Sequence, residues 1–168
     1  NSGTVIIKHA NPCGVSENKA PFVSFKNAYA SDPISAFGGV IACNYKINKK
    51  IAHEINKNFL EVVLAKGFDK ESLEILKRKK NLRIVDISNF KTKNLSSIKS
   101  FDGSFLLQSK DNIVVDKKKL KCVTKLKPNK KELAEIQFAF NICKHVKSNA
   151  IVLCNNFSTI GIGAGQPS

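Results

Sequence analysis

The sequence predicts an α/β domain built in layers around a largely parallel sheet. Short β-branched, apolar runs recur at Thr4–Lys8, Val40–Cys43, Glu61–Ala65 and Leu82–Ile87. Each is brief and bounded by turn residues, as buried strands are. Between them lie stretches with helical spacing, and strands alternating with helices of this length are the pattern of helices packed on a sheet.

Taken in order, TVIIK (Thr4–Lys8) reads as a strand, followed by a polar turn carrying asparagine, proline, cysteine and glycine. PFVSFKNAYA (Pro21–Ala30) sets Phe22, Phe25, Ala28 and Tyr29 on one helical face, with Pro21 suited to the first turn and Asp32-Pro33 stopping the helix. Gly38-Gly39 leads into Val40–Cys43. Asn48 can cap a helix in which Ile51, Ile55 and Phe59 recur at helical spacing. EVVLA (Glu61–Ala65) is a third strand, Asp69–Lys80 a charged helix with Leu73 and Leu76 facing inward, and LRIVDI (Leu82–Ile87) a fourth strand. The segment Asn89–Lys121 differs: it is polar and lysine-rich, an irregular connection with hairpin-like character from strand pieces at Ser104–Gln108 and Asn112–Val115. Beyond Pro128, Leu133, Ile136, Phe140 and Cys143 share a face of a long helix ending near Lys144–Lys147. AIVLC (Ala150–Cys154), an Asn155-Asn156 turn and a strand over Thr159–Ile162 then enter the glycine-rich GIGAGQPS.

The chain has 168 residues, of which 42% are hydrophobic and 24% charged, enough for a domain with a sizeable core. No run approaches the roughly 20 apolar residues a membrane span requires, and no secretory segment opens the chain, so a cytoplasmic location and no membrane partner are expected. The five cysteines are odd in number, scattered and without a C-x-x-C pair, which argues against a disulfide framework or structural zinc. A formal net charge of +15 suggests anionic partners. Almost all of that excess is lysine, however, since Arg78 and Arg83 are the only arginines. Phosphate and base recognition recruits arginine for bidentate contacts, so the lysines read as a solvated surface and no nucleic-acid partner is expected.

Lys8-His9 ends the first strand at what would be the carboxyl edge of the sheet, where such folds bind ligands. Histidine suits proton transfer near neutral pH, and lysine suits stabilising developing negative charge. Taken alone, the dipeptide favours a structural reading: a lysine snorkelling from a strand end beside a hydrogen-bonded histidine. The His9…Cys13 spacing invites comparison with zinc deaminases, which carry H-x-E and P-C-x-x-C elements. Asn11 stands where the glutamate would be and Ser16 where the second cysteine would be, so metal catalysis fails at two positions and no metal is expected. SAFGGVIA (Ser35–Ala42) places Phe37 beside a glycine pair, which would let backbone and ring approach a planar ligand, although Gly-Gly before a strand is also plain turn chemistry. GIGAGQPS half-resembles a phosphate loop but lacks the lysine and helix of a P-loop. His53 and His145 read as surface residues.

KHANPCGV, DPISAFGG, EVVLAKGF, LEILKRKKNLR, VTKLKP, KHVKSNAIV and IGIGAGQ occur in that order. Together they resemble the formyltransferase domain of the bifunctional purine-biosynthesis family, phosphoribosylaminoimidazolecarboxamide (AICAR) formyltransferase/IMP cyclohydrolase. The resemblance runs from Val5 to Ser168 and is weakest over Asn89–Lys121, where GSFLLQSKDN is retained. It implies a three-layer, cytidine-deaminase-like sandwich without zinc over residues 1–88, an irregular connection over 89–127, and the start of a second similar unit over 128–168. It implies formyl transfer from 10-formyltetrahydrofolate, a co-substrate, to the 5-amino group of AICAR, within a longer enzyme that also closes the purine ring and works as a homodimer.

By the same resemblance Lys8, His9 and Asn149 are catalytic. Lys8 would stabilise the tetrahedral oxyanion, His9 would assist deprotonation of the amine, and Asn149 would position the reacting groups. Phe37 and Gly38 would contact both nucleotide and folate, Glu61 the substrate and Ser168 the folate. Departures from the pattern are Lys66 in AKGF, where proline is commoner, and Pro167 in GQPS. The remaining formyltransferase residues lie outside this sequence, so the isolated chain is expected to be inactive. The alternatives are a non-catalytic nucleotide- or folate-binding fragment and, third, a basic nucleic-acid-binding module. The enzyme reading requires Lys8, His9 and Asn149 to converge.

Overall fold

A computed structural model describes residues 1–91, 96–113, 115–116 and 119–167. Two compact units divide them: one formed by Asn1–Asn89 with Cys122–Ser168, the other by Phe90–Lys121. The first contains a seven-stranded mixed sheet of order β5-β4-β3-β1-β2-β9-β8. Its strands are β1 (Ser2–Lys8), β2 (Asn11–Asn18), β3 (Gly39–Cys43), β4 (Leu60–Ala65), β5 (Arg83–Asp86), β8 (Ile151–Asn155) and β9 (Ser158–Gly163). Helices α1 (Pro21–Ser31), α2 (Lys49–Asn56), α3 (Lys70–Leu76) and α4 (Lys130–Cys143) complete it.

The sheet is less parallel than the alternation suggests. β3, β4 and β5 run parallel, whereas β1 is antiparallel to both β2 and β3, and β9 to both β2 and β8. The reason is local: NPCGVSEN, read from its turn-forming residues as a loop, is the strand β2, folded directly back on β1. Pro12 is tolerated because it sits at a register shift opposite Ile6/Ile7, where a missing N–H costs no regular ladder bond. Gly14 serves a close approach and not a turn: a Cβ there would lie 1.9 Å from the carbonyl oxygen of Ala28 on α1.

Successive residues of β1 feed two cores, as side chains alternating across a sheet must. Ile6 joins Phe25 and Ala28 of α1, Ile41, Val63, Ile51 and Ile55 of α2, and Ile75 and Leu76 of α3. Val5 belongs with Val15, Phe138 and Ile142 of α4, Val152 and Ile162. The cap expected at Asn48 is present, and the structure adds a second at Asn129. Asn48 Oδ1 accepts from the Ile51 N–H at 3.1 Å, and Asn129 with Glu132 forms a reciprocal capping box at the start of α4. The apolar face assigned to α4 is displaced. Ile142 is buried and Phe138 packs on the second core, while Ile136 and Phe140 are 52% and 60% exposed. Phe59 lies beyond α2, and α3 ends at Leu76, short of the predicted Lys80.

In the other unit, β6 (Ser97–Phe101) and β7 (Ser104–Gln108) form an antiparallel hairpin. Asp102 and Gly103, both at positive φ, make its two-residue turn. The partner of Ser104–Gln108 is therefore Ser97–Phe101. Asn112, Ile113 and Val115 are not in a strand, and Val114, Lys117 and Lys118 lie outside the described residues.

Candidate active site

Lys8 and Asn11 are paired across β1 and β2, which leaves His9 and Ala10 as a two-residue hairpin turn. Both have positive φ, 50° and 63°. Such turns normally recruit Asn-Gly, since a residue with a Cβ pays roughly 1–2 kcal/mol in this region. His9 is held there, exposed, by the strand pairing on either side. Backbone strain of this kind concentrates at functional sites.

The Lys8 ammonium turns back onto the start of β3. Its Nζ donates to the carbonyl oxygens of Phe37 at 2.8 Å and Gly38 at 3.2 Å. Gly38 has φ 67°, and a Cβ there would sit 2.8 Å from Lys8 Nζ, so glycine is what admits the amine. The Phe37 ring is 64% exposed and lies 4.9 Å from the Phe59 ring, centroid to centroid. An ammonium carries three N–H groups, so Lys8 keeps one for a ligand.

Lys8 and His9 line a cavity of about 280 Å³ together with Asn11 and Cys13 of β2, Asp32 and Ser35 beyond α1, and Ile162 and Ala164 at the end of β9. Asp32 Oδ1 accepts from the Ser35 N–H at 2.9 Å, and hydrogen bonds from Ser35 hold its carboxyl below the usual carboxylate range. Burial, with Asp32 nearby, pushes the Cys13 thiol up to about 11, so it is a neutral thiol at physiological pH. Among the described residues no group of three His, Cys, Asp or Glu side chains is arranged to hold a metal ion. A larger open concavity of about 760 Å³ lies where α2 and α3 begin. Its carboxylates are engaged with lysines, Asp69 with Lys46 at 2.7 Å and Glu71 with Lys49 at 3.0 Å, which marks a solvated charged surface.

The residues predicted from sequence divide into three groups. Lys8 and His9 share the cavity, and Phe37 and Gly38 are joined to it through the Lys8 ammonium without lining it. Asn149 is exposed and does not line the cavity; its carbonyl accepts from the N–H of Gln166, two residues beyond Ala164 of the lining, at 3.2 Å. Glu61 is exposed on β4 and does not line the cavity, and Ser168 lies outside the described residues. Asp32, Ser35 and Asn11 also line the cavity, and no spacing in the sequence places them beside Lys8 and His9. The edge also differs from expectation. Lys8 ends β1, but the parallel trio begins at this end of the sheet, because β3 is antiparallel to β1. Ligand binding at the carboxyl ends of parallel strands is therefore not the reason for the site's position; the β1–β2 turn is.

Fold and site define an α/β domain with an amine and an imidazole presented together at one end of a mixed sheet. A family model described as the AICARFT/IMPCHase bienzyme matches residues 1–168, and the chain belongs to that family. It is 46% identical over 162 residues to the bifunctional purine biosynthesis protein PurH of Thermoanaerobacter sp. (strain X514), covering 96% of this chain and 32% of that protein. It is 42% identical over 161 residues to PurH of Nostoc punctiforme (strain ATCC 29133 / PCC 73102), covering 96% and 31%. The chain thus spans about a third of the length of these relatives. Among solved structures, the apo dCMP deaminase from cyanophage S-TIM5 aligns with a TM-score of 0.42 and 9% identity, over 51% of this chain and 79% of that one; nothing is carried over from a likeness of that degree. No helix among the described residues is long and apolar enough to cross a membrane.

Proposed function

We propose that this chain is the part of an AICAR formyltransferase that carries the oxyanion-stabilising lysine and the proton-accepting histidine. The reading is supported above all by one observation: segments far apart in sequence, KHANPCG, the stretch after α1 and the end of β9, meet around the cavity that Lys8 and His9 line. The 5-amino group of AICAR attacks the formyl carbon of 10-formyltetrahydrofolate. The new N–C bond forms as the carbonyl oxygen becomes an oxyanion, which the free N–H of Lys8 stabilises. His9 takes the proton from the attacking nitrogen. Collapse of the intermediate breaks the bond to N10 of the folate, and that proton passes to the departing nitrogen. A lost oxyanion donor costs about 100- to 1000-fold in turnover. Asn149 positions the reacting groups, Phe37 and Gly38 contact nucleotide and folate, and Glu61 and Ser168 serve the substrate and folate sites.

In this reading residues 1–88 are a zinc-less, deaminase-like three-layer unit, 89–127 a connection, and 128–168 the start of a second unit. The working enzyme is a longer, cytoplasmic homodimer that also carries IMP cyclohydrolase activity and binds neither nucleic acid nor membrane. Calorimetric titration of AICAR into the chain tests it. Saturable binding, weakened at least tenfold by His9→Ala, is the expected result. A folded chain that takes up no AICAR would overturn the local nucleotide site.

A further inference from the structure

We propose that Asn11 is a positioning residue, tying the turn that carries His9 to the loop that carries Asn149. The proposal rests on the functional reading above and adds to it a residue with no role of its own there.

The observation is a hydrogen bond between the sheet and the segment after α4. The main-chain N–H of Lys147 donates to Asn11 Oδ1 at 2.9 Å. Because the partner is an N–H, the atom facing it must be the amide oxygen, and the orientation of the side chain follows. Lys147 lies just past the last turn of α4, where the bonds from His145 to Ile142 and from Val146 to Cys143 end the helical pattern. Its N–H therefore has no helical acceptor, and Asn11 supplies one.

The same short loop is gripped from the other side. The Lys147 carbonyl accepts from the Gly165 N–H at 2.8 Å, and the Asn149 carbonyl from the Gln166 N–H at 3.2 Å. Residues 147–149 are thus held between the first residue of β2 and the chain leaving β9. Asn11 also pairs with Lys8 and lines the cavity beside His9. Its side chain thus bonds the turn that carries His9 to the loop that carries Asn149. The tie contributes little to the fold itself. Asn11 is half-buried, Lys147 is exposed, and neither belongs to an apolar core. Losing it should move the loop without weakening either core.

The test compares wild-type chain with Asn11→Ala, which removes the acceptor, and Asn11→Asp, which keeps it. Backbone amide exchange is read by NMR. Asn11→Ala should speed exchange at Lys147 roughly five- to tenfold, shift the Asn149 side-chain resonances and leave β3 and β4 amides unchanged; Asn11→Asp should reverse the first two effects. AICAR titration should show affinity about tenfold weaker for Asn11→Ala and within about threefold of wild type for Asn11→Asp. Unchanged exchange at Lys147 overturns the tie. Faster exchange with unaltered AICAR affinity overturns the positioning role. Wild-type chain that binds no AICAR while Lys147 still responds would fail the functional reading and leave the coupling of the two segments supported.

Discussion

The two halves of the seven-stranded sheet are held by different forces. Between β3 and β4 the strands pair along their whole length, from Gly39↔Leu60 to Cys43↔Ala65, and the side chains they contribute to the first core, among them Ile41, Val63 and Ala65, are fully buried. Between β2 and β9 a single pair, Ser16↔Ser158, is in register. Apart from the bond from the Glu17 N–H to the Phe157 carbonyl at 2.8 Å, side-chain hydroxyls take the place of a longer ladder. Thr159 Oγ1 accepts from the Val15 N–H at 2.9 Å and donates to the Val15 carbonyl at 3.2 Å, while Ser31 Oγ lies 2.8 Å away. One proton and two lone pairs are then fully used, with Ser31 as the donor. Ser16 and Ser158 hydroxyls meet at 2.8 Å, and Asn27 Nδ2 donates to Ser158 Oγ at 3.2 Å. Burial tolerates small slips, whereas a hydroxyl clasp does not. The seam that aims the end of β9 at His9 is the directional one.

The comparison breaks first at the apolar half. Ile41→Ala removes a fully buried side chain that faces Ile6 across β1 and β3. A loss of about 2–5 kcal/mol is expected, with amide protection falling across β1, β3 and β4 together. Urea unfolding measures it, and a loss below about 1 kcal/mol would mean that the apolar half does not dominate stability.

Thr159→Val addresses the other half. The shape is kept, but the buried N–H and carbonyl of Val15 lose their partner, which costs about 1–3 kcal/mol. Protection should drop in β8 and β9 and persist in β3 and β4, whereas Thr159→Ser, which keeps the hydroxyl, should behave nearly as wild type. Uniform loss across the sheet would show that the halves are one cooperative unit and erase the distinction.

How much of this was legible in the sequence follows from the same contrast. The apolar half was readable because its signals are local: VIAC and EVVLA are strands by composition, and Asn48 caps α2 as its spacing says. The hydroxyl half was not. Gly14 looked like a turn residue because the carbonyl that requires it lies on α1, and Ser16, Ser31 and Thr159 are unremarkable until the fold brings them together. Asp102-Gly103 is the exception in the other direction, a strong local hairpin signal set in a lysine-rich stretch that otherwise reads as irregular. At the site, Lys8 and His9 were visible as a pair, and Phe37 with Gly38 as an aromatic beside a glycine. Asp32 and Asn11 reach the cavity through the fold, which no spacing encodes.

The smallest effect gives the sharpest comparison, because Cys13 in one half and Cys43 in the other have similarly perturbed acidity. Burial pushes both Cys43 on β3 and Cys13 on β2 up to about 11, from an ordinary value near 9. Cys43 is 2% exposed, whereas Cys13 is half-buried at the wall of the candidate site. At pH 8 both should alkylate slowly with iodoacetamide, behind the exposed Cys122. Raising the pH toward 11 should speed Cys13 in the folded protein by forming its thiolate where reagent can reach, and leave Cys43 limited by opening of the core. The folded state holds these protons over a range in which the unfolded chain has released them. Stability should therefore fall as pH rises from about 9 to 11, with no contribution from either thiol at neutral pH. Mass spectrometry of the alkylated chain separates the two sites. Equal rates for Cys13 and Cys43 throughout the titration would mean that β3 opens as readily as the rim of the site, and the two halves would then share one local stability.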